Sequence, residues 1–313
     1  MTGRRVLVVG GSGFVGRALV ARLAALGDRV VVPTRRRDRA REVVLLPTVD
    51  VVEADVHDGA ALAGLATGAD AVVNLAGILN ESRRETFERA HVALAGVVVD
   101  ACRKAGVRRL VHMSALGAGP EGPSRYLKSK GAAEALVANS GLDWSIFRPS
   151  VIFGPDDRFL NLFIGLAKFA PVFPLAGASA RFQPVHVGDV VRAMAHALGD
   201  PGCVGRRYDL CGPKVYTLRE LVRWACGTAG VGRPIVALAG PLATLQAFAL
   251  EHLPGGLMSR DNLASMRVDN VCACPFPPEF GFAPAALEAL APAWLRPEAR
   301  FDHHVAHRRR HGP

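Results

Sequence analysis

A glycine-rich turn close to the amino terminus constrains this chain more than any other feature of its sequence. A run of β-branched and leucine residues ends at Val9, the turn GGSGFVG follows at residues 10–16, and residues 17–26 have helical periodicity. Glycines at the first, fourth and seventh positions allow a sharp bend, the approach of bare backbone to a ligand, and close packing of the helix on the strand. The pattern predicts a strand, a tight turn and a helix, in that order.

The amides at the start of such a helix favour an anionic group. They lie at the positive end of the helix dipole, and glycine leaves them accessible to a phosphate. Glycine-rich turns also occur as purely structural bends, but a strand before the turn and a helix after it favour dinucleotide binding. The residues predicted to bind the pyrophosphate are Gly10, Ser12, Gly13, Phe14, Val15 and Gly16.

The residues after the second predicted strand bear on the choice between NAD and NADP. NAD sites place an acidic residue on the ribose about 20 residues after the glycines, whereas an arginine accommodates a 2′-phosphate. Here Thr34 is followed by Arg35, Arg36 and Arg37, with no acid before Asp38. Planar guanidinium groups bind phosphate through paired hydrogen bonds. We therefore predict a preference for NADP(H) carried by Arg35 and Arg36, with NAD(H) binding and a merely solvated arginine surface as the alternatives.

Short β-branched runs alternate with alanine- and leucine-rich helical patterns through the first half of the chain. This alternation is typical of βαβ units and a parallel sheet. The fold class predicted is α/β, a Rossmann doubly wound parallel sheet with a smaller C-terminal α/β lobe. The predicted strands are residues 5–9, 29–34, 49–53, 71–75, 109–113 and 143–148, with later helical patterns at 190–198 and 218–228. The predicted domains are an NAD(P)-binding domain at 1–150, a substrate or partner lobe interleaved with the sheet at 151–300, and a basic tail at 301–313.

Two further segments follow predicted strands and are expected to line the cofactor. Asp55 and Val56 come after the third strand, in position for an adenine contact. Leu75, Ala76 and Gly77 come after the fourth strand, in position for the cofactor ribose. Each segment alone is compatible with ordinary loop chemistry, but their order along a Rossmann sheet favours the functional interpretation.

A tyrosine and a lysine four residues apart form the candidate catalytic group. Tyr126 and Lys130 (YLKSK) lie at the start of a helical run that extends to Asn139, so both side chains share one helix face. A nearby ammonium favours the phenolate and is expected to lower the pKa of Tyr126 toward the range of a general acid or base. Ser114, just past the fifth strand, is predicted to bond the same substrate oxygen. The alternative is a surface pair, since this spacing is common by chance.

Charge and hydropathy narrow the possible partners. The formal net charge is +10, which favours an anionic partner such as a nucleotide or an anionic membrane surface. No recognition helix or interleaving of aromatic and basic residues indicates nucleic-acid binding. The longest apolar stretch, residues 234–250, contains Gly240, Pro241 and Gln246 and is too short for a membrane span of about 20 residues. We expect a cytoplasmic protein without a leader peptide, at most peripheral to the inner face of the membrane.

The cysteines show no pattern typical of a metal centre. None forms a C-x-x-C pair, and no histidine cluster accompanies them at ligand spacing, so no metal site is predicted. Buried reduced thiols are the expectation, and Cys272 with Cys274 is judged a poor disulfide. The six residues are Cys102, Cys203, Cys211, Cys226, Cys272 and Cys274.

Taken together, several motifs resemble one superfamily. They are GGSGFVG, NLAGIL, HMSALGA, YLKSK, FRPSVIFGPDD, FQPVHVGDV and YDLCGPKVYTLREL. This set resembles the atypical short-chain dehydrogenases/reductases (epimerase/dehydratase family), and within them the bacterial relatives of alpha subcomplex subunit 9 of respiratory complex I (NADH:ubiquinone oxidoreductase). The resemblance extends over residues 4–295.

The resemblance carries its own implications for the site and the partners. It implies a bound nicotinamide nucleotide, usually NADPH, and places Ser114, Tyr126 and Lys130 in the dehydrogenase positions, with Lys130 also holding the cofactor. Pro149 and Val151 would continue the nicotinamide wall. It further implies a role in quinone metabolism, such as ubiquinone biosynthesis, or beside a respiratory complex.

Three hypotheses about function remain open on the sequence. The first is an NADP-dependent oxidoreductase. The second is a non-catalytic NADPH-binding accessory or assembly protein, favoured by the basic surface, the apolar residues 235–257 and the short loop between Ser114 and Tyr126. The third is a nucleotide-sugar epimerase or dehydratase, which is weaker because no basic pair for a second diphosphate is visible.

Overall fold

The computed structural model describes residues 3–169, 171–251 and 258–296. The strands are β1 (Arg5–Val9), β2 (Arg29–Thr34), β3 (Val49–Glu53), β4 (Ala71–Asn74), β5 (Arg109–Met113), β6 (Asp143–Pro149), β7 (Ile152–Phe153), β8 (Phe173–Ala176), β9 (Arg181–Phe182), β10 (Val185–His186), β11 (Arg206–Leu210), β12 (Tyr216–Thr217) and β13 (Ile235–Leu238). The helices are α1 (Phe14–Ala25), α2 (Gly59–Ala66), α3 (Leu94–Ala105), α4 (Arg125–Ala138), α5 (Leu160–Ala167), α6 (Val187–Gly199), α7 (Leu218–Thr228), α8 (Gly240–Glu251), α9 (Arg260–Ser265), α10 (Leu287–Leu290) and α11 (Pro292–Leu295).

A seven-stranded parallel sheet forms the centre of the first of two units. Its strand order is β11-β6-β5-β4-β1-β2-β3, so the order reverses between β1 and β4. In open parallel sheets, ligands bind in the crevice beyond the carboxyl ends of the strands at such a reversal. Besides the residues up to Pro149, this unit includes Val187–Leu210 and Pro277–Phe282.

The sheet is covered by helices on both faces, which explains its apolar strands. Val6, Leu7, Val8 and Val9 in β1 are all fully buried. Parallel strands buried on both faces have nearly continuous hydrophobic runs rather than an alternation of polar and apolar residues. One continuous core joins β1, β2 and β4 to helices α2, α3 and α4.

The second unit consists of short elements around a separate core. It contains three two-stranded sheets, which pair β10 with β7, β12 with β9, and β13 with β8. Its core joins α5 and α7 to the last two helices and is rich in phenylalanine, including Phe153, Phe163, Phe173 and Phe182. Among the described residues, no helix is both long and apolar enough to cross a membrane.

The predicted α/β fold with a parallel sheet is confirmed. The first six strands lie at the predicted positions, β4 ending one residue early and β6 one residue late. The remaining strand of the seven-stranded sheet, β11, was not predicted. The unit boundary falls between Pro149 and Ser150, and two later segments return to the first unit. The predicted basic tail at 301–313 lies outside the described residues.

The expectation of reduced cysteines is wrong for one pair. Cys211 and Cys272 form a disulfide, with Cα atoms 6.0 Å apart and a sequence separation of 61 residues. Gln183 links the two segments, since its side chain donates to the Gly212 carbonyl (2.7 Å) and accepts from the Cys272 amide (3.1 Å). A pairing created by tertiary structure leaves no signal in cysteine spacing. The other four cysteines are free thiols.

The ring of Phe280 anchors the segment Pro277–Phe282 in the first unit. Phe280 is 5% exposed, and its ring centroid lies 4.9 Å from that of Tyr208 and 6.1 Å from that of Phe147. We expect Phe280→Ala to lower the free energy of unfolding by about 3–5 kcal/mol, measured by urea denaturation, because the vacated space stays partly empty.

Phe169→Ala is the matched control. Its side chain is 90% exposed, so its loss is expected to change the same free energy by no more than about 0.5 kcal/mol. Equal destabilisation by the two substitutions would contradict the anchoring role of Phe280.

Candidate functional site

The glycine-rich turn between β1 and α1 has no room for side chains. Gly10 has a left-handed backbone (φ +84°), and a Cβ there would lie 2.9 Å from the Ala76 nitrogen. A Cβ on Gly16 would lie 2.1 Å from the Gly10 carbonyl oxygen. Both distances are shorter than real Cβ contacts, so the turn and the helix approach each other only because these residues are glycine.

The amino terminus of α1 is open to a ligand. Gly13 caps the helix with extended backbone, and no side chain satisfies the amides of its first turn. A Cβ on Gly13, which is exposed, would meet a single atom at 3.3 Å. Around this turn Ser12 and Phe14 are half-buried and Val15 is buried. The predicted pyrophosphate residues therefore surround an uncapped helix end at the sheet's reversal point, which fits a dinucleotide phosphate.

The two arginines predicted to select NADP(H) are exposed beyond the carboxyl end of β2. Each is paired with a carboxylate. Arg36 and Asp38 form a two-bond ion pair at 2.7 and 3.2 Å, and Arg35 approaches Glu85 at 3.4 Å. The ion pair holds the pKa of Asp38 below its usual range through its hydrogen bond to Arg36. Neither pairing was predicted from the sequence.

The predicted adenine and ribose segments lie beyond β3 and β4. Asp55 is exposed and accepts the His57 amide, while Val56 packs against the sheet core. Leu75 is buried, and its amide donates to the Val9 carbonyl at 2.9 Å. Ala76 and Gly77 continue this segment, with the Ala76 amide donating to the Asn74 side chain. The ribose segment thus lies directly beside the carboxyl end of β1.

Lys130 extends from α4 to this same edge of the sheet. Its ammonium group donates to the Met113 carbonyl at 3.2 Å, and a Cβ on Gly77 would lie only 3.0 Å from it. Lys130 is 4% exposed, and burial lowers its pKa to about 8. The Tyr-x-x-x-Lys motif therefore places a buried cation next to the segment predicted to contact the ribose.

Tyr126 lies one turn earlier on α4, in a cluster of rings. Its ring packs edge-on against His91 and Phe87, with centroid distances of 5.5 and 5.8 Å. Burial raises the pKa of Tyr126 to about 12. The expected lowering of this pKa by Lys130 is therefore wrong for this structure. At neutral pH the phenol keeps its proton, which is the form of a general acid rather than a base.

Two buried polar atoms near the end of β5 have no hydrogen-bond partner. They are the Ser114 hydroxyl and Nε2 of His112. Both residues are almost fully buried, and the other ring nitrogen of His112 lies 3.3 Å from the Asn74 amide. Leaving a buried polar group unpaired costs free energy, so unpaired atoms at a sheet's carboxyl edge are suited to bonding a ligand.

His91 is a part of the site that the sequence did not predict. It lies in the π-helical turn Glu88–Ala93. Its Nε2 accepts the Ile78 amide at 3.1 Å, its Nδ1 lies 2.8 Å from the Ser129 hydroxyl, and that hydroxyl donates to the Tyr126 carbonyl. Burial lowers the pKa of His91 to about 3, so the ring is neutral. It links the ribose segment to α4, and no spacing in the sequence indicates this role.

The last two predicted cofactor residues belong to different units. Pro149 is buried at the end of β6 in the first unit, where its carbonyl accepts the Leu116 amide at 3.0 Å. Val151 is half-buried in the second unit and packs against that unit's core. The first unit therefore contains the glycine turn, the ribose segment and the residues Ser114, Tyr126 and Lys130.

Fold and site together define a dinucleotide-binding protein of the Rossmann type. A family profile described as NAD(P)H-binding matches residues 10–158. The chain belongs to the short-chain dehydrogenase/reductase superfamily, as the sequence motifs predicted.

The curated relatives include complex I subunits and a ceramide reductase. Over 224 residues, the chain is 38% identical to alpha subcomplex subunit 9 of mitochondrial NADH dehydrogenase [ubiquinone] 1 from Arabidopsis thaliana, covering 68% of this chain and 55% of that protein. It is 32% identical to a ceramide reductase from Caulobacter vibrioides over 239 residues, covering 75% of this chain and 74% of the relative. The chain thus spans less than two thirds of the complex I subunit.

Solved structures confirm the fold. An NADPH-dependent quinone oxidoreductase from Escherichia coli, solved in complex with NADPH, superposes with a TM-score of 0.71. The match covers 91% of this chain and 98% of that one, at 19% sequence identity. At this identity the likeness shows the shared architecture alone.

The buried ammonium of Lys130 makes a prediction about stability. Below pH 8 the lysine is charged in both the folded and the unfolded chain, and burying the charge lowers the free energy of unfolding. This destabilisation disappears as the pH rises from about 8, the folded pKa, toward 10.5, the unfolded pKa. A shift of this size corresponds to a cost on the order of 3 kcal/mol. Lys130→Met is therefore expected to raise the free energy of unfolding at pH 7, and its advantage over the unmodified protein should shrink at pH 9.5.

Urea denaturation at the two pH values measures this difference. Lys128→Met, an exposed position on the same helix, is the matched control and is expected to show no pH-dependent gain. A Lys130→Met variant that is less stable than the unmodified protein at pH 7 would mean that the ammonium stabilises the fold.

Proposed function

We propose that this chain is an NADPH-dependent oxidoreductase that reduces a carbonyl or quinone group. The observation that carries the proposal is the buried Lys130 ammonium beside Gly77, on the same sheet edge as the unpaired Ser114 hydroxyl. Burying the Lys130 ammonium and burying the unpaired Ser114 hydroxyl are both unfavourable for folding. Both are explained by a bound ligand with oxygen atoms at the carboxyl ends of β4 and β5.

NADPH would be held by the first unit. The amides at the start of α1 would bind its pyrophosphate, Leu75 to Gly77 would contact a ribose, and Lys130 would donate to ribose hydroxyls. When bound, NADPH supplies a hydride to the substrate carbon. Orientation and proton transfer are the contribution of the protein's own residues.

The protonation states favour reduction. Tyr126 keeps its proton at neutral pH and donates it to the substrate oxygen as negative charge develops there. The Ser114 hydroxyl donates a second hydrogen bond to the same oxygen. The relative named as a ceramide reductase supports the same direction of reaction.

A preference for NADPH over NADH is part of the proposal. An exposed ion pair such as that of Arg35 with Glu85 is worth less than about 1 kcal/mol, whereas a charge-assisted bond to a phosphate contributes about 1.5–3 kcal/mol. A 2′-phosphate therefore displaces Glu85 from Arg35. Arg36, beside it, has its fork of donors directed at Asp38 and is positioned to exchange in the same way.

A second candidate function rests on the surface of α8. Leu242, Leu245 and Phe248 on this helix are 60%, 62% and 45% exposed. Exposed apolar groups of this size on one helix are typical of a binding surface. Combined with relatives named as complex I subunits, they favour an accessory protein that binds NADPH and docks on a respiratory or quinone-metabolising enzyme at the membrane surface.

The role of Tyr126 is tested by removing its hydroxyl. Tyr126→Phe is expected to lower kcat by about 100-fold or more while leaving the Kd of NADPH nearly unchanged, because proton donation is lost and the ring remains. The assay is NADPH oxidation with a panel of ketones, aldehydes and water-soluble quinones.

Tyr216→Phe is the matched control. That hydroxyl bonds Glu288 in the second unit, and its loss is expected to leave turnover unchanged. Full turnover in Tyr126→Phe would discard its role as acid. If the unmodified protein binds one equivalent of NADPH but none of the ketones, aldehydes or quinones oxidises it, the accessory function is favoured.

The cofactor preference is tested at Arg35. Arg35→Ala is expected to raise the Kd of NADPH about tenfold or more and to leave the Kd of NADH nearly unchanged, since only NADPH carries the 2′-phosphate. Fluorescence titration of both dinucleotides measures the two constants. Arg39→Ala, another exposed arginine, is the control. Equal affinity of the unmodified protein for NADH and NADPH would refute the preference.

A further inference from the structure

A group of three potential metal ligands lies at the end of the sheet where the parallel strands begin. The candidate dinucleotide site lies at the other end, beyond the carboxyl ends of the strands. Within the described part of the chain, His196, Asp200 and Cys203 bring one ligand atom each to within 4.8 Å of one another. The imidazole Nε2 is 3.1 Å from Asp200 Oδ2, and the Cys203 sulfur is 3.8 Å from the same oxygen. No sequence motif predicted this group, because its spacing, H-x-x-x-D-x-x-C, matches no common metal-binding pattern.

Local structure holds these side chains in place. His196 lies in the last turn of α6, and Asp200 follows the end of that helix with extended backbone, where its carboxylate meets the imidazole. Asp200 Oδ1 accepts the Gly202 amide and caps the turn Pro201–Cys203, which leaves Oδ2 directed toward the other two side chains. The Cys203 carbonyl is bonded by the Ser145 hydroxyl at 2.5 Å. The three ligand atoms are therefore positioned by backbone contacts and not by their mutual hydrogen bonds alone.

A buried hydroxyl lies next to the cysteine. Tyr208, on β11, is 3% exposed, and its hydroxyl lies against the Cys203 thiol. A thiolate accepts a hydrogen bond far better than a thiol does, so Tyr208 would bond the Cys203 sulfur more strongly once a metal ion had displaced the thiol proton.

The surroundings place a cation near the cysteine and leave a path for an ion. The Arg109 guanidinium lies near Cys203. Arg109 is itself held by three oxygen acceptors on the protein, which are the Asp143 carbonyl, the Ser145 hydroxyl and the Ala197 carbonyl. Cys203 is buried, whereas the side chains of His196 and Asp200 are 37% and 42% exposed. The cluster is thus closed on the cysteine side and open to solvent on the other.

We propose that His196, Asp200 and Cys203 bind a divalent transition-metal ion of the Zn²⁺ class, with the remaining position open to water. One thiolate, one imidazole and one carboxylate are the ligand types that Zn²⁺ accepts in proteins. A single carboxylate with a thiolate does not suit Ca²⁺ or Mg²⁺, which require oxygen ligands. On binding, the Cys203 thiol loses its proton to solvent and its sulfur bonds the ion, and His196 binds through the neutral Nε2.

The position of the site indicates a structural rather than a catalytic role. α6 ends and β11 begins at the edge of the sheet where the parallel strands start, whereas dinucleotides bind beyond the carboxyl ends. A bound ion would fasten the end of α6 to the turn that leads into β11. In the described part of the sheet β11 is an edge strand next to β6, so this link would secure a strand that has one neighbour.

Cobalt binding tests the proposal, since Co²⁺ with a thiolate ligand gives a charge-transfer absorption band. The full chain is freed of metal with a chelator in the absence of thiol reductant, so that Cys211 and Cys272 remain bonded. Titration with Co²⁺ is expected to give this band at one equivalent, and Zn²⁺ is expected to displace it. Thermal denaturation of the same samples is expected to show a higher Tm with metal.

Variants at the cluster separate this site from chance binding. Cys203→Ser is expected to abolish the band, and His196→Ala, at an exposed position that tolerates substitution, to weaken Co²⁺ binding about tenfold or more. Cys274→Ser and Cys226→Ser, at an exposed and a buried free cysteine, are the controls and are expected to keep the band. The proposal is overturned if no band appears, if the band survives in Cys203→Ser and His196→Ala, or if it is lost in Cys274→Ser.

Discussion

The close approach of main chain to main chain at the glycine turn is the constraint on which the rest of the site depends. A methyl group at Gly16 would overlap the Gly10 carbonyl, and one at Gly10 would overlap the segment after β4. Because both are absent, α1 starts directly at the carboxyl end of β1, beside the point where the strand order reverses. The same device recurs at Gly77, where the missing side chain makes room for the Lys130 ammonium. Backbone accessibility and the buried cation are therefore consequences of three positions without side chains.

Burial sets the protonation states around this edge of the sheet. It keeps His91 and His112 neutral, lowers the pKa of Lys130 and raises that of Tyr126. The neutral His91 has partners on both ring nitrogens, and through Ser129 it reaches the backbone of the helix turn that bears Tyr126. The hydrogen bonds of His91 need no net charge, whereas Lys130, with its pKa lowered to about 8, loses its charge just above neutral pH.

The sequence predicted the parts of the structure that depend on local patterns. Strands buried on both faces have unbroken apolar runs, and for this reason the first six were located to within a residue. β11 was missed because its sequence RRYDL mixes charged and apolar residues, as an edge strand allows. The glycine turn and the Tyr-x-x-x-Lys pair were visible because their chemistry requires fixed spacing. His91, the ion pairs of Arg35 and Arg36, and the metal-ligand group depend on tertiary contacts that a sequence does not reveal.

The disulfide between Cys211 and Cys272 makes the stability of the second unit depend on the redox conditions around the protein. It closes a loop of 61 residues, and chain-entropy arguments assign such a closure about 4 kcal/mol through its restriction of the unfolded chain. That amount approaches the whole net stability of many small domains. Reduction of this bond therefore removes a stabilisation of this size from the second unit. The two cysteines of the first unit, Cys102 and Cys203, are free thiols, so that unit has no disulfide to lose.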